Sequence, residues 1–183
     1  SERISRNYTR VSAAWTLPAY TGEDIPLPPE DAVTGTEGAE WVEDHQGYAP
    51  GGKVLRVHYG DTVRLNAEIP RDGLYAVRLD YYSYDPAVEA NRQTVLPDRI
   101  SLEVDGAFPY YECRSLKFES AWLRETESNY DRYGDEMVSL PTKTAAWNSK
   151  YLTDGTGRRT EPLLLALTAG THELVITVTE GSF

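Results

Sequence analysis

Cysteine is nearly missing from this 183-residue chain, in which Cys113 stands alone. One thiol cannot form an intramolecular disulfide, and it excludes zinc or iron–sulfur sites built on cysteine. Histidine is almost as scarce. His45, His58 and His172 lie far apart, and His172-Glu173 is followed by Ile176 where a zincin helix needs its second histidine. There is no Gly-x-Ser-x-Gly elbow, no phosphate loop and no dinucleotide fingerprint, so no catalytic activity is expected. Basic charge is in deficit as well. A net charge of -11 and a pI near 4.7 set the chain against nucleic acid and anionic membrane surfaces, which would repel it. No apolar run reaches the length of a membrane-spanning helix, and the N-terminus carries no basic-plus-apolar signal segment.

Tyrosine is abundant instead, with 13 Tyr and 4 Trp against 3 Phe. Its apolar ring and polar tip suit surfaces that meet polar ligands. The length fits one domain with its own core. Its organising stretch is Asp61 to Tyr82, where Val63, Leu65, Ala67 and Ile69 alternate on one face of a first arm and Tyr75, Val77, Leu79 and Tyr81 on one face of a second. With Pro70-Arg-Asp-Gly73 between them, the two arms read as a β-hairpin with one dry face, which needs a second sheet to cover it.

Around this centre the chain reads as short strands and turns. Ile4, Tyr8, Val11 and Trp15 have the spacing of a short helix, and the Pro-rich run Thr21 to Glu37 reads as an extended connection with an edge strand at Asp24 to Leu27. Residues 1–36 are therefore expected to be an extension and linker, and 37–183 the domain proper. Strands are expected at Glu37 to Asp44, Lys53 to His58 and Arg99 to Asp105. Asp105-Gly106 signals a hairpin into a strand at Ala107 to Glu112, and Ser115 to Trp122 reads as one more. Ser83 to Asp98 and Arg124 to Glu136 read as loops, and Thr142 to Leu152 fits either a strand or a short helix. Pro162 to Thr168 and Thr171 to Thr179 read as a last hairpin about Ala169-Gly170, with Leu163 to Leu167 apolar on both faces and so expected to be central and doubly covered. Nine or ten such strands predict an all-β jelly-roll sandwich. The abrupt start at Ser1 and the stop at Phe183 suggest a piece of a longer protein.

Candidate chemistry gathers in the loops. A sugar ring offers a face of C–H groups and a rim of hydroxyls, so its site needs a flat aromatic with Asp, Glu, Asn or Arg beside it. Tyr84, Asp85, Tyr110, Trp122, Tyr130 and Trp147 supply such a set, with Glu112, Arg114 and Asn129 available for hydroxyls. The run Asn129-Tyr-Asp131-Arg-Tyr133-Gly134 fails as an EF-hand, since Leu140 occupies the twelfth position. A calcium site of another design, drawing on Glu37, Glu40 or Asp131, stays open. Cys113 reads as a buried thiol, not a nucleophile.

Glu37-Gly-Ala-Glu40, Gly47-Tyr-Ala-Pro-Gly-Gly52, Gly60-Asp-Thr-Val and Ile69-Pro-Arg-Asp-Gly-Leu-Tyr-Ala-Val-Arg-Leu, with Arg99-Ile-Ser-Leu-Glu-Val-Asp-Gly and Leu167-Thr-Ala-Gly-Thr-His-Glu-Leu, resemble carbohydrate-binding modules of the galactose-binding-like jelly-roll type. Phe108-Pro-Tyr-Tyr-Glu-Cys-Arg, Asp131-Arg-Tyr-Gly-Asp-Glu, Trp147 and Glu161-Pro-Leu-Leu-Leu look like the N-terminal domain of large extracellular solute-binding proteins of bacterial ABC importers. The resemblance implies a non-catalytic domain that binds oligosaccharide or polysaccharide for uptake, in a cell-surface lipoprotein whose anchor lies outside this stretch and whose other domains are its partners. It also implies a structural calcium, for which Glu37 and Glu40 are the matching acids. The alternative is a docking domain of such a protein with no glycan site of its own.

Overall fold

The computed structural model describes residues 1–27, 38–43, 53–82, 98–118, 122–123, 142–143, 147–154, 161–181 and 183. Two short helices open the chain, α1 at Glu2–Ser5 and α2 at Tyr8–Ala13, and the Asn7 side chain caps the second by accepting from the Arg10 N–H. Twelve strands follow among the described residues: β1 Glu40–Glu43, β2 Lys53–Arg56, β3 Thr62–Ile69, β4 Gly73–Ala76, β5 Arg78–Tyr82, β6 Asp98–Val104, β7 Leu116–Phe118, β8 Trp122–Leu123, β9 Thr142–Lys143, β10 Trp147–Tyr151, β11 Leu164–Leu167 and β12 Gly170–Glu180. Every strand ladder is antiparallel. The expected all-β sandwich is what the chain forms.

One layer is the sheet β3-β12-β6-β7. Facing it are the ladders β11-β4 and β10-β5, in which β4 and β5 follow one another with only Val77 between. Period-two alternation buries Val63, Ala67, Ile69, Leu174, Val178, Ile100, Leu102, Leu116 and Phe118 from the first layer against Tyr75, Tyr81, Leu163, Leu165 and Leu167 from the second. Across the gap the Tyr81 ring meets Phe118 edge-on at 5.2 Å between centroids, a packing worth about 1 kcal/mol beyond its buried area.

The long hairpin expected from Asp61 to Tyr82 does not exist as a paired ribbon. β3 pairs with β12, whereas β4 pairs with β11 and β5 with β10, so Pro70-Arg71-Asp72 carries the chain from one layer to the other. Alternation reports which side of a strand is dry, and both arms are dry because they face each other through the core. The closing hairpin about Ala169-Gly170 is a layer crossing for the same reason. Asp72 Oδ1 accepts from the Ala169 N–H at 2.7 Å and so joins the two crossings.

Three further expectations change. Leu163 to Leu167 is not covered on both sides, since Ala166 is exposed and β11 has one strand neighbour among the described residues; Leu164 on its other edge is met by side chains. The Asp105-Gly106 turn forms, with φ of 52 and 85, yet only Ala107 bridges back to Val104 and the chain then enters a 3-10 turn at Tyr111–Arg114. No strand forms at Asp24 to Leu27, where Pro26 lacks a donor. The parallel contact is made earlier, by Ala19 against Leu74. Thr142 to Leu152, ambiguous in sequence, contains β9 and β10.

The first 27 residues pack onto the sandwich. Tyr8 is buried against Trp15 and Tyr110, its hydroxyl accepts from the Leu164 N–H at 3.1 Å, and Tyr110 donates to the Leu164 carbonyl at 2.9 Å. Two phenols thereby satisfy an edge of β11 that would otherwise offer a bare donor and acceptor. Both Glu112 oxygens accept from the Tyr8 N–H at 3.0 Å, and Arg114 pairs with Glu2 at 2.6 Å.

Candidate functional site

The wet side of the second layer carries the most suggestive arrangement. In β5 the residues Leu79 and Tyr81 turn to the core, which leaves Arg78 and Asp80 exposed. The register sets Arg78 opposite Tyr151 and Asp80 opposite Ser149 on β10. Side chains directly opposite on an antiparallel pair stand about 5 Å apart, so these four form one patch. Asp80 Oδ1 accepts from Ser149 Oγ at 2.6 Å and lies 3.9 Å from Arg78 Nε. Arg78 Nη2 donates to Asp24 Oδ2 at 3.3 Å, which brings the N-terminal segment to the rim of the patch. Asp24 first, then the Tyr151 hydroxyl and Asp80, raise the guanidinium pKa above its already high ordinary value.

Tyr151 is 44% exposed beside this paired Arg–Asp set. A carboxylate accepts, a guanidinium and a hydroxyl donate, and a phenol ring gives a flat apolar surface. Together they match the face and rim of a sugar. Two register steps beyond Ser149, Trp147 is paired with Tyr82, which puts a residue named from the sequence on the same ladder.

The other named residues fall elsewhere. Tyr110 belongs to the core: it is 1% exposed, its ring packs on Tyr8 at 4.8 Å and its hydroxyl is used on Leu164, so no ring face is left for a sugar. Burial also pushes its phenol pKa far above 10. Glu112 and Arg114, expected to meet hydroxyls, hold the N-terminal segment, and Arg114 lies over the Phe108 ring at 4.6 Å. Trp122 is in the short ladder with β9, opposite Lys143. Tyr84, Asp85, Asn129, Tyr130 and Asp131 lie outside the described residues.

Glu40 stands 3.6 Å from Arg56 and 3.7 Å from His58, and Glu37 lies outside the described residues. Among the described residues no three His, Cys, Asp or Glu side chains converge as a metal site would require. Cys113 is fully buried, and burial pushes its thiol up to about 12.

Sequence reasoning passed over Arg78, Asp80, Ser149 and Tyr151. Their signal was the parity of Arg78-Leu-Asp80 and Ser149-Lys-Tyr151, visible only once β5 and β10 are known to pair.

No protein-family model and no curated protein matches the chain. Among solved structures it is similar to a family 35 carbohydrate-binding module from Clostridium thermocellum, at 16% identity and a TM-score of 0.51, over 87% of this chain and 89% of that one. At this distance the likeness establishes the fold that the two chains share.

Proposed function

We propose that the chain is a non-catalytic carbohydrate-binding domain whose glycan surface is the outer side of β5 and β10. The observation that carries this reading is an exposed Tyr151 ring set in one ladder with Arg78, Asp80 and Ser149. A fold shared with a carbohydrate-binding module supports it. In this reading Trp147 extends the platform, and Tyr84, Asp85, Trp122 and Tyr130 are further contacts. The sandwich proper, 37–183, works with its extension, 1–36, as one module of a larger extracellular solute-binding protein that is attached to the cell surface and captures glycans for an ABC importer. A structural calcium on Glu37 and Glu40 would have to displace Arg56 from Glu40, and a thermal midpoint that falls on adding EDTA would show one in place.

Calorimetry of the whole chain against oligosaccharides chosen from a glycan array tests the reading. Binding between millimolar and micromolar is expected, weakened about tenfold or more by Tyr151→Ala, since one lost stacking or charged contact is worth about 1.5 kcal/mol. Failure to bind any glycan would refute it and leave a docking role.

A further inference from the structure

We infer that the surface formed by Arg78, Asp80, Ser149 and Tyr151 selects uncharged glycans and rejects uronate or sulfated ones. This rests on the proposed function and names the class of ligand for that same surface.

Among the described residues, the Arg78 guanidinium of the ladder stands against two carboxylates, one on the ladder and one on the N-terminal segment. Arg78 has Asp24 Oδ2 at 3.3 Å and Asp80 Oδ1 at 3.9 Å, with the Tyr151 hydroxyl also in hydrogen-bonding reach. The other charge on these two strands, Lys150, is set opposite Leu79 and so has the opposite parity. An anionic sugar approaching the guanidinium would come within reach of both carboxylates, which repel it. It would also approach a molecule whose net charge is -11. Repulsion of this kind acts over about 10 Å at 0.1 M salt. An uncharged diol meets no such penalty, because each hydroxyl both donates and accepts: Asp80 takes one proton, Arg78 supplies another, and the existing ion pair need not be broken. Two like charges set directly against a guanidinium thus exclude one class of ligand and accommodate the other.

Affinity gel electrophoresis of the whole chain, with arabinoxylan, galactomannan and mixed-linkage β-glucan as neutral polymers and polygalacturonate and alginate as acidic ones, tests this. Retardation by at least one neutral polymer and by neither acidic one is expected, with little change between low and moderate salt. Asp80→Asn should weaken neutral binding about tenfold. The double variant Asp24→Asn/Asp80→Asn frees Arg78 and should gain salt-sensitive retardation by polygalacturonate, a gain that a merely destabilised sandwich would not show; unchanged thermal midpoints certify the fold. Retardation of the unaltered chain by an acidic polymer, no gain in the double variant, or neutral binding untouched by Asp80→Asn would each overturn the inference while leaving carbohydrate binding intact. No retardation by any polymer would overturn both.

Discussion

His172 should carry a positive charge in the folded protein and lose part of its stabilising effect as the solution turns alkaline. Its Nδ1 lies 2.5 Å from Asp105 Oδ2 and its Nε2 lies 2.7 Å from the Thr168 carbonyl. Both partners accept, so both ring nitrogens must donate, and only the imidazolium does that. The ring is 13% exposed, opposite Ala67 in the β3 register. The nearby charges are accounted for: Glu173 pairs with Arg64 at 3.5 Å, Glu68 accepts from Thr171, and Asp72 caps Ala169. Asp105, whose other oxygen accepts from the Glu173 N–H at 2.9 Å, raises the His172 pKa, and that backbone bond together with His172 lowers the Asp105 pKa.

The signs then follow. A raised folded pKa at His172 gives stability that is complete below the unfolded value, about 6.5, and lost as pH climbs through the folded value. A lowered pKa at Asp105 gives stability that is complete above about 3.9 and lost as pH falls through its folded value. The pair is therefore strongest between about pH 4 and 6.5. A charged hydrogen bond is worth about 1.5 to 3 kcal/mol, but Asp105 is half exposed and solvent screens it, which brings the value to about 1 kcal/mol. In a chain of this length that is a shift of about 2 to 4 °C in Tm. Thermal melts of the unaltered chain, His172→Gln and Asp105→Asn, from about pH 5 to about pH 9 around the ordinary histidine value, should show a difference present at the acidic end and shrinking with pH. An NMR titration that put His172 at or below its ordinary pKa, or a difference independent of pH, would refute the reasoning.

Three further outcomes follow from the packing. Tyr110→Phe removes the hydroxyl from the Leu164 carbonyl and should cost about 1 to 2 kcal/mol in urea melts while leaving glycan affinity unchanged, since the ring is core and not platform. Gly181→Ala should cost about 3 kcal/mol, because φ is 80 there and an added Cβ would overlap Asp98 Oδ1, itself 1% exposed; an unchanged midpoint would contradict the packing at that turn. Cys113, with its thiol pushed up to about 12, should stay unreactive toward a thiol reagent at neutral pH until denaturant unfolds the chain, and prompt labelling of the native protein would show the burial to be wrong.

The class of fold was legible because period-two alternation is a local signal. Val63 to Ile69 and Tyr75 to Tyr81 announce dry faces wherever their partners come from. Pairing was not legible: the same alternation suits a hairpin or a layer crossing, and what decides it is the distant β11 and β12. The Asp105-Gly106 turn was readable from two residues, whereas the 3-10 turn after it depends on Glu112 and Tyr110 finding the N-terminal segment. Of the candidate site, composition pointed to aromatics with planar polar partners but chose among them by loop position. Tyr110 was misplaced by that choice because its burial comes from Tyr8 and Trp15, about a hundred residues away in sequence. Arg78 and Asp80 looked like an ordinary wet face until β10 laid Ser149 and Tyr151 beside them.

Amide chemical-shift mapping during titration of the isotope-labelled chain with an oligosaccharide that it binds tests the central claim most directly. The largest changes should fall on Arg78 to Tyr82 and Trp147 to Tyr151 and fade across the four-stranded sheet. Changes centred on any other surface, with the β5–β10 ladder silent, would contradict the assignment of that ladder as the sugar-facing side.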